Sequence, residues 1–354
     1  MHLWLLDFLA CPSTGSSLRV EGAIEESGRI VSGTLVSREG ARYPIVNGIP
    51  RLLVNYQDAS ERQTVEAFGT EWHIWSDHDD FFASPELFHS FLPALSRESV
   101  AGRVALDAGC GAGRWTQQLV RLGADKVIAL DYSRAVEVCA RKTASNREVG
   151  VVQGSLLAPP LRRGAIDVAI SIGVIHHLSD PLGGLRSLND LLAPGGVLAC
   201  WLYGREGNEL YLALAERLRK VTQHMSSRPL LALSTVLAVV LRSYTRTLNR
   251  WVPLRRDGSP RLPMQSYLQL LDRLSVRDLT SVVYDQLAPA LARYYRREEV
   301  EALIDAAGFE LADLTHRAHS SWAVLARPRK ALATPIGRRA AGGPRDDREP
   351  PPAT

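Results

Sequence analysis

Asp107, Gly109, Gly111 and Gly113 recur at every second position in the stretch RVALDAGCGAGRWT, residues 103–116. Glycines so spaced let the backbone come close to a ligand. A helix starting near Arg114 would add free N–H groups and a partial positive end. The next apolar run, Lys126 to Leu130, closes on Asp131. A carboxylate at the end of a second strand suits a ribose diol, which it can grip with two hydrogen bonds. A further run from Ile166 to Ile172 leads to His176-His177. Either imidazole could serve as a general base, because its proton affinity lies near neutrality.

These residues need a scaffold that brings strand ends together. From 101 to 204, short apolar strands alternate with amphipathic helices, the mark of an α/β fold with a parallel sheet. Ligands sit at the carboxyl ends of such strands, where all these groups fall. The third strand lies at Val151-Val152 and runs into Gly154-Ser155-Leu156, and a turn is expected at Pro194-Gly195-Gly196. After an amphipathic helix over 297–307, stopped by Gly308, strands are expected near 309–315 and 321–326.

The flanking regions differ in composition. Residues 1–55 are rich in β-formers, with a turn signal at Asn47-Gly48. Residues 56–100 are aromatic and helical in pattern and include Phe68, Trp72 and Trp75. Residues 205–290 read as helices with arginine on their polar faces. Within them, Leu230, Leu231, Leu233, Val236, Leu237, Val240 and Leu241 are too dense for a one-sided surface helix, so burial is expected, either against the acceptor pocket, which is favoured, or in a subunit interface. The apolar stretch is too short to span a bilayer, which needs roughly 20 residues. No stable membrane insertion is therefore expected. The segment 329–354 is polar and rich in proline, and disorder is expected there.

The bulk composition is that of a globular protein: 354 residues, 45% hydrophobic, 23% charged and a formal charge of only +4. So mild a charge gives no reason to favour a nucleic-acid partner. The four cysteines are scattered, which fits a reducing compartment. Asp7 interrupts the first apolar run and no Lys or Arg precedes it, so a cytoplasmic location is expected.

The nicotinamide fingerprint G-x-G-x-x-G is incomplete, because Arg114 stands in the third glycine's place. The order Asp107-x-Gly109-x-Gly111-x-Gly113, Asp131, Gly154-Ser155 and Pro194-Gly195-Gly196 instead resembles the class I S-adenosylmethionine-dependent methyltransferases over about 100 residues. The resemblance implies a Rossmann-like seven-stranded sheet with an antiparallel last strand. It implies an S-adenosylmethionine site drawn from Asp107, Ala108, Gly109, Cys110, Gly111, Gly113, Asp131, Tyr132, Ser155, Leu156 and Ile172. Asp131 would meet the ribose, with Ser155 and Leu156 near the adenine; Ser155 stands where the family often has an aspartate. His176 and His177 would be the candidate catalytic groups. The aromatics of 56–100 would form a lid, and 205–290 the pocket of a small organic acceptor. The expected organisation is a β-rich module over 1–55, a lid over 56–100, an α/β core over 101–204, the insert over 205–290, the end of the core over 291–328 and the tail over 329–354.

The beginning, LLDFLACP followed by RYPIVNGIPRLL, resembles a zinc-ribbon-like module that heads some bacterial methyltransferases. Between Cys11 and Cys110 there is no other cysteine, and a structural zinc site wants four ligands. No structural zinc is expected, and Cys11 should pack as a small buried hydrophobe. The leading expectation is methyl transfer to a small molecule, with oxygen slightly favoured. An RNA methyltransferase and a non-catalytic partner protein that keeps the fold are the alternatives. A homodimer is compatible with either.

Overall fold

Val- and Ile-rich runs in the middle of the chain read as almost continuously apolar because both of their faces are covered. They are β5 (Val104–Ala108), β6 (Lys126–Asp131), β7 (Val149–Gly154), β8 (Ile166–Ile172) and β9 (Leu192–Tyr203). They follow β1 (Leu18–Glu26), β2 (Arg29–Ser37), β3 (Arg42–Val46) and β4 (Ile49–Leu52) and precede β10 (Phe309–Arg317) and β11 (Ser321–Pro328). The structure, a computed structural model, describes residues 1–54, 59–75, 84–252, 255, 261, 265–272, 274–318 and 320–329. The tail beyond Arg329 lies outside the described residues.

All strands join one sheet in the order β1-β2-β3-β4-β7-β6-β5-β8-β9-β11-β10. Neighbours from β4 to β9 are parallel, and β11 runs antiparallel to both β9 and β10. The sheet therefore has eleven strands where seven were expected. The added four come from the N-terminal segment, which extends the sheet instead of standing apart. Arg51 and Leu52 of β4 pair with Gln153 and Gly154 of β7. Leu9, Leu35, Ile45 and Leu52 share one apolar core with Leu106 and Ile128. Asn47 and Gly48 form the β3–β4 turn with positive φ of 52° and 74°. The turn expected at Pro194-Gly195-Gly196 falls inside β9 as an irregularity: Gly195 has φ +76°, and the pairing with β8 jumps from Leu192 to Val197.

Cys11 is buried, and its sulfur lies 3.3 Å from the Tyr43 hydroxyl. The loop after it is closed by Gly15 N–H donating to the Cys11 carbonyl at 2.7 Å. Hydrogen bonds and packing therefore hold this loop around the thiol. Among the described residues, no group of three or more His, Cys, Asp or Glu is placed to hold a metal ion.

The helices are α1 (Ala59–Ile74), α2 (Pro85–Phe91), α3 (Arg97–Val100), α4 (Arg114–Arg121), α5 (Val136–Lys142), α6 (Pro181–Leu191), α7 (Glu209–Thr222), α8 (Ser227–Trp251), α9 (Gln265–Asp272), α10 (Val276–Leu287) and α11 (Arg297–Ala306). Helices α7 to α10 follow β9; α10 packs on α1, α7 and α8, and residues of α9 and α10 line the cavity at the carboxyl ends of the strands. Burial within the chain holds for only part of the dense apolar run of α8. The helix buries Leu230, Ala238 and Leu248 on one side and leaves Val236 and Val240 60% exposed on the other. The dense apolar run thus splits between two faces, and α9 and α10 cover only one of them.

Candidate active site

The turn after β5 is built from backbone. Gly109 and Cys110 N–H both donate to the Leu130 carbonyl, at 2.7 and 3.0 Å, which locks the turn against β6. Gly109 has φ +88°, and a Cβ there would lie 2.2 Å from a Val174 methyl. Gly111 has φ +50°, and its Cβ would meet the Trp72 indole at 2.9 Å. Both face a cavity of about 310 Å³ at the carboxyl ends of the strands. Gly113 does not line the cavity. It starts α4 in the left-handed conformation, and its missing side chain makes room for Cys139 of α5.

Two carboxylates stand behind and beside this turn. Asp131 Oδ2 accepts from Gly111 N–H at 2.9 Å, and Oδ1 accepts from the Ser133 N–H and hydroxyl at 2.8 and 2.7 Å. Three of the roughly four acceptor positions of a carboxylate are thus used inside the protein. Asp131 shapes the turn before it meets any ligand. Burial raises its pKa, against the pull of the Ser133 and Gly111 bonds. Asp107 is fully buried; Oδ2 accepts from Thr116 at 2.7 Å and Oδ1 has no partner among the described residues. Burial lifts its pKa to about 7, with Thr116 opposing and Asp131 assisting.

The remaining expected residues divide between cavity and core. Tyr132, Ser155, Leu156 and Ile172 line the cavity beside Asp131. The Ser155 hydroxyl accepts from Leu157 N–H at 3.0 Å, closing the turn after β7. Ala108 and Cys110 are buried outside the lining; the Ala108 carbonyl accepts from Ser171 at 3.0 Å. Of the lid aromatics, Phe68 and Trp72 reach the cavity, with the Arg114 guanidinium stacked 4.5 Å from the Trp72 ring centre. Trp75 packs instead against Tyr284 in the core.

The two histidines have different surroundings. His177 lines the cavity, touching Phe68 edge-on at 4.9 Å. Its Nδ1–H donates to the Leu291 carbonyl at 2.6 Å, which leaves Nε2 as the basic nitrogen. Burial lowers its pKa, although Asp285 and Leu291 pull the other way, so the ring is neutral near pH 7. His176 is fully buried and stacks on Tyr203 at 3.8 Å, and neither ring nitrogen has a partner among the described residues. Burial, then His177 and Arg219, hold its pKa well below the usual value.

A chain of polar side chains reaches the cavity through Tyr203, Asp285 and Gln286. Arg219 donates to the Tyr294 hydroxyl at 2.9 Å, and Tyr294 to Gln286 Oε1 at 3.2 Å. Gln286 Nε2 donates to the Tyr203 hydroxyl at 2.9 Å, and Tyr203 to Asp285 Oδ2 at 3.0 Å. Glu71 joins this wall from α1. It is buried, its Oε2 has no partner among the described residues, and burial, then Asp285, raise its pKa well above normal against the pull of Arg114. Asp285, Gln286, Tyr203 and Glu71 were not singled out from the sequence. The insert's carboxylates show no paired spacing there, and only the buried network marks them.

Residues 106–200 match the model of the methyltransferase domain family. A ubiquinone biosynthesis O-methyltransferase of Ruegeria pomeroyi is 29% identical over 175 residues, 45% of this chain and 69% of that protein. A demethylmenaquinone methyltransferase of Staphylococcus aureus is 35% identical over 103 residues, 28% of this chain and 42% of that protein. Among solved structures, the CcbJ methyltransferase from Streptomyces caelestis covers 75% of this chain and 98% of its own, at 16% identity and a TM-score of 0.45.

Proposed function

We propose that this S-adenosylmethionine-dependent methyltransferase acts on a small organic acceptor and delivers its methyl group to a hydroxyl oxygen. Two features fit the cofactor. Gly109 and Gly111 present bare backbone to the cavity, and Asp107 Oδ1 is a buried acceptor without a protein partner behind it among the described residues. When bound, S-adenosylmethionine supplies an electrophilic methyl group on a sulfonium. The glycine turn, Asp131, Tyr132, Ser155, Leu156 and Ile172 would hold it, and Phe68 and Trp72 would exclude water above it.

The observation that carries the oxygen reading is His177. Its Nδ1–H is committed to a backbone carbonyl, so Nε2 is a neutral base in the same cavity as the glycine turn. There it would take the proton of an acceptor hydroxyl as the oxygen gains its methyl. His176 acts behind it as a packing partner. Phe68, Phe91, Trp201 and Tyr203 suit a flat, apolar acceptor body. The relatives named as ubiquinone biosynthesis O-methyltransferases support the same atom choice.

The test is transfer of labelled methyl from S-adenosylmethionine to a panel of phenols, catechols and amines, with RNA as a further acceptor. Label should enter hydroxyl compounds. His177→Asn should lower kcat by about 10²–10⁴, the scale of general-base catalysis, while cofactor affinity stays within twofold. Label found on carbon or in RNA, or a His177→Asn enzyme of normal kcat, would overturn the oxygen reading.

A further inference from the structure

Helix α8 carries five of the protein's exposed large apolar side chains: Val236, Val239, Val240, Tyr244 and Trp251. At 100° per residue they fall on one face, which runs about 22 Å from Val236 to Trp251. Between them on that face lie Ser243 and Thr247, with Arg250 at its C-terminal end. The opposite face packs Ala238 and Leu248 against Leu268, Leu271 and Leu279, so the apolar stripe is not part of the core. Trp251 is 75% exposed.

The charge pattern says what this face meets. Between Ser227 and Trp251 there are four arginines and no acidic residue. Arg242 is held by the Leu274 carbonyl and Arg246 reaches Asp272 at 3.9 Å, while Arg228, Arg246 and Arg250 keep exposed side chains. Arg246 and Arg228 lie along one edge of the stripe and Arg250 near its end. A second copy docked through the same face would bring a second set of these arginines to the seam, with no acidic residue on either helix to pair with them. An anionic lipid surface offers what both features lack: phosphates for the arginines and acyl chains for the valines, with Tyr244 and Trp251 at the boundary. No described helix is long and apolar enough to cross a membrane, so α8 would lie along the surface.

We propose that α8 docks the protein onto anionic membranes through its Val236–Trp251 face. The inner side of the same helix packs on Leu271 and Leu274, which line the cavity. Docking would therefore place one wall of the acceptor cavity next to the bilayer. The docking itself stands independently of which atom is methylated.

The full-length protein would be sedimented with vesicles of phosphatidylcholine alone or mixed with phosphatidylglycerol. It should co-sediment with the anionic vesicles, less so at high salt, and weakly with the neutral ones. Val236→Asp/Val240→Asp should lower anionic-vesicle partitioning by about tenfold or more, with circular dichroism and cofactor affinity unchanged. Arg246→Gln/Arg250→Gln should lower it by a smaller factor. The proposal falls if the protein ignores anionic vesicles or if the valine double variant binds them as well as the parent does. It also falls if light scattering shows a dimer that the valine variant splits.

Discussion

The cavity has two walls of different make. One is the turn of residues 107–133, where backbone N–H groups, missing side chains and one carboxylate define the surface. The other is assembled from side chains of α1, β9 and α10, namely Phe68, Glu71, Trp72, Tyr203, Asp285 and Gln286. A backbone wall tolerates little change, because every atom of it also holds the chain's path. A side-chain wall can be remodelled residue by residue without disturbing the strands beneath. The first suits a cofactor of fixed shape and the second an acceptor that differs between enzymes.

The harshest test of the backbone wall is Gly109→Ala. Left-handed backbone and a 2.2 Å contact with Val174 should together cut S-adenosylmethionine affinity by about 100-fold, or about 2.7 kcal/mol. Calorimetric titration giving a Kd within threefold of the parent would mean that the turn is not the cofactor wall. Asp131→Ala should cost about 1.5–3 kcal/mol of cofactor affinity, the scale of charge-assisted hydrogen bonds, because it loosens Gly111 as well as any ribose contact. A loss in acceptor KM alone would place Asp131 on the wrong wall.

On the side-chain wall, Asp285→Asn should change acceptor kcat/KM by about tenfold while cofactor Kd moves less than twofold. Equal effects on both ligands would erase the division between the walls. The smallest effect concerns Asp107, whose pKa burial raises from 3.8 to about 7. The folded protein holds a proton that the unfolded chain releases, so this group's contribution to stability falls as pH rises from about 4 to 7. Asn cannot ionise. Asp107→Asn should therefore gain a few degrees in Tm relative to the parent at pH 8 and much less at pH 5. Thermal unfolding that shows the same difference at both pH values would mean that Asp107 is not the titrating group.

The backbone wall was legible because its chemistry is local. Glycine spacing, a strand-ending aspartate and a helix start lie within one short stretch, and the resemblance rested on them. The contact of Gly113 with Cys139, across 26 residues, is one that spacing does not encode. The second wall was hidden because Glu71, Tyr203 and Asp285 are remote in sequence and meet only through the fold. Apolar density alone did not tell which face of α8 packs inside the chain: Val236 and Val240 face outward. The strand count was misjudged because edge pairing of β4 with β7 leaves no mark in composition.

That edge pairing also bears on the order of synthesis. Leu52 finds its partner at Gly154, about 100 residues later in the chain. At 5–20 residues per second, β4 would emerge about 5–20 s before the strand it pairs with. During that interval Ile49 and Leu52, buried in the finished sheet, have no parallel neighbour, and a bare hydrophobic edge invites wrong pairing. The growing chain should need shelter then, however stable the finished sheet is. Ribosome-bound chains halted before β7 should leave residues 18–52 open to protease, and chains halted well after β7 has cleared the exit tunnel should protect them; equal protection of both would show that β1–β4 fold without β7.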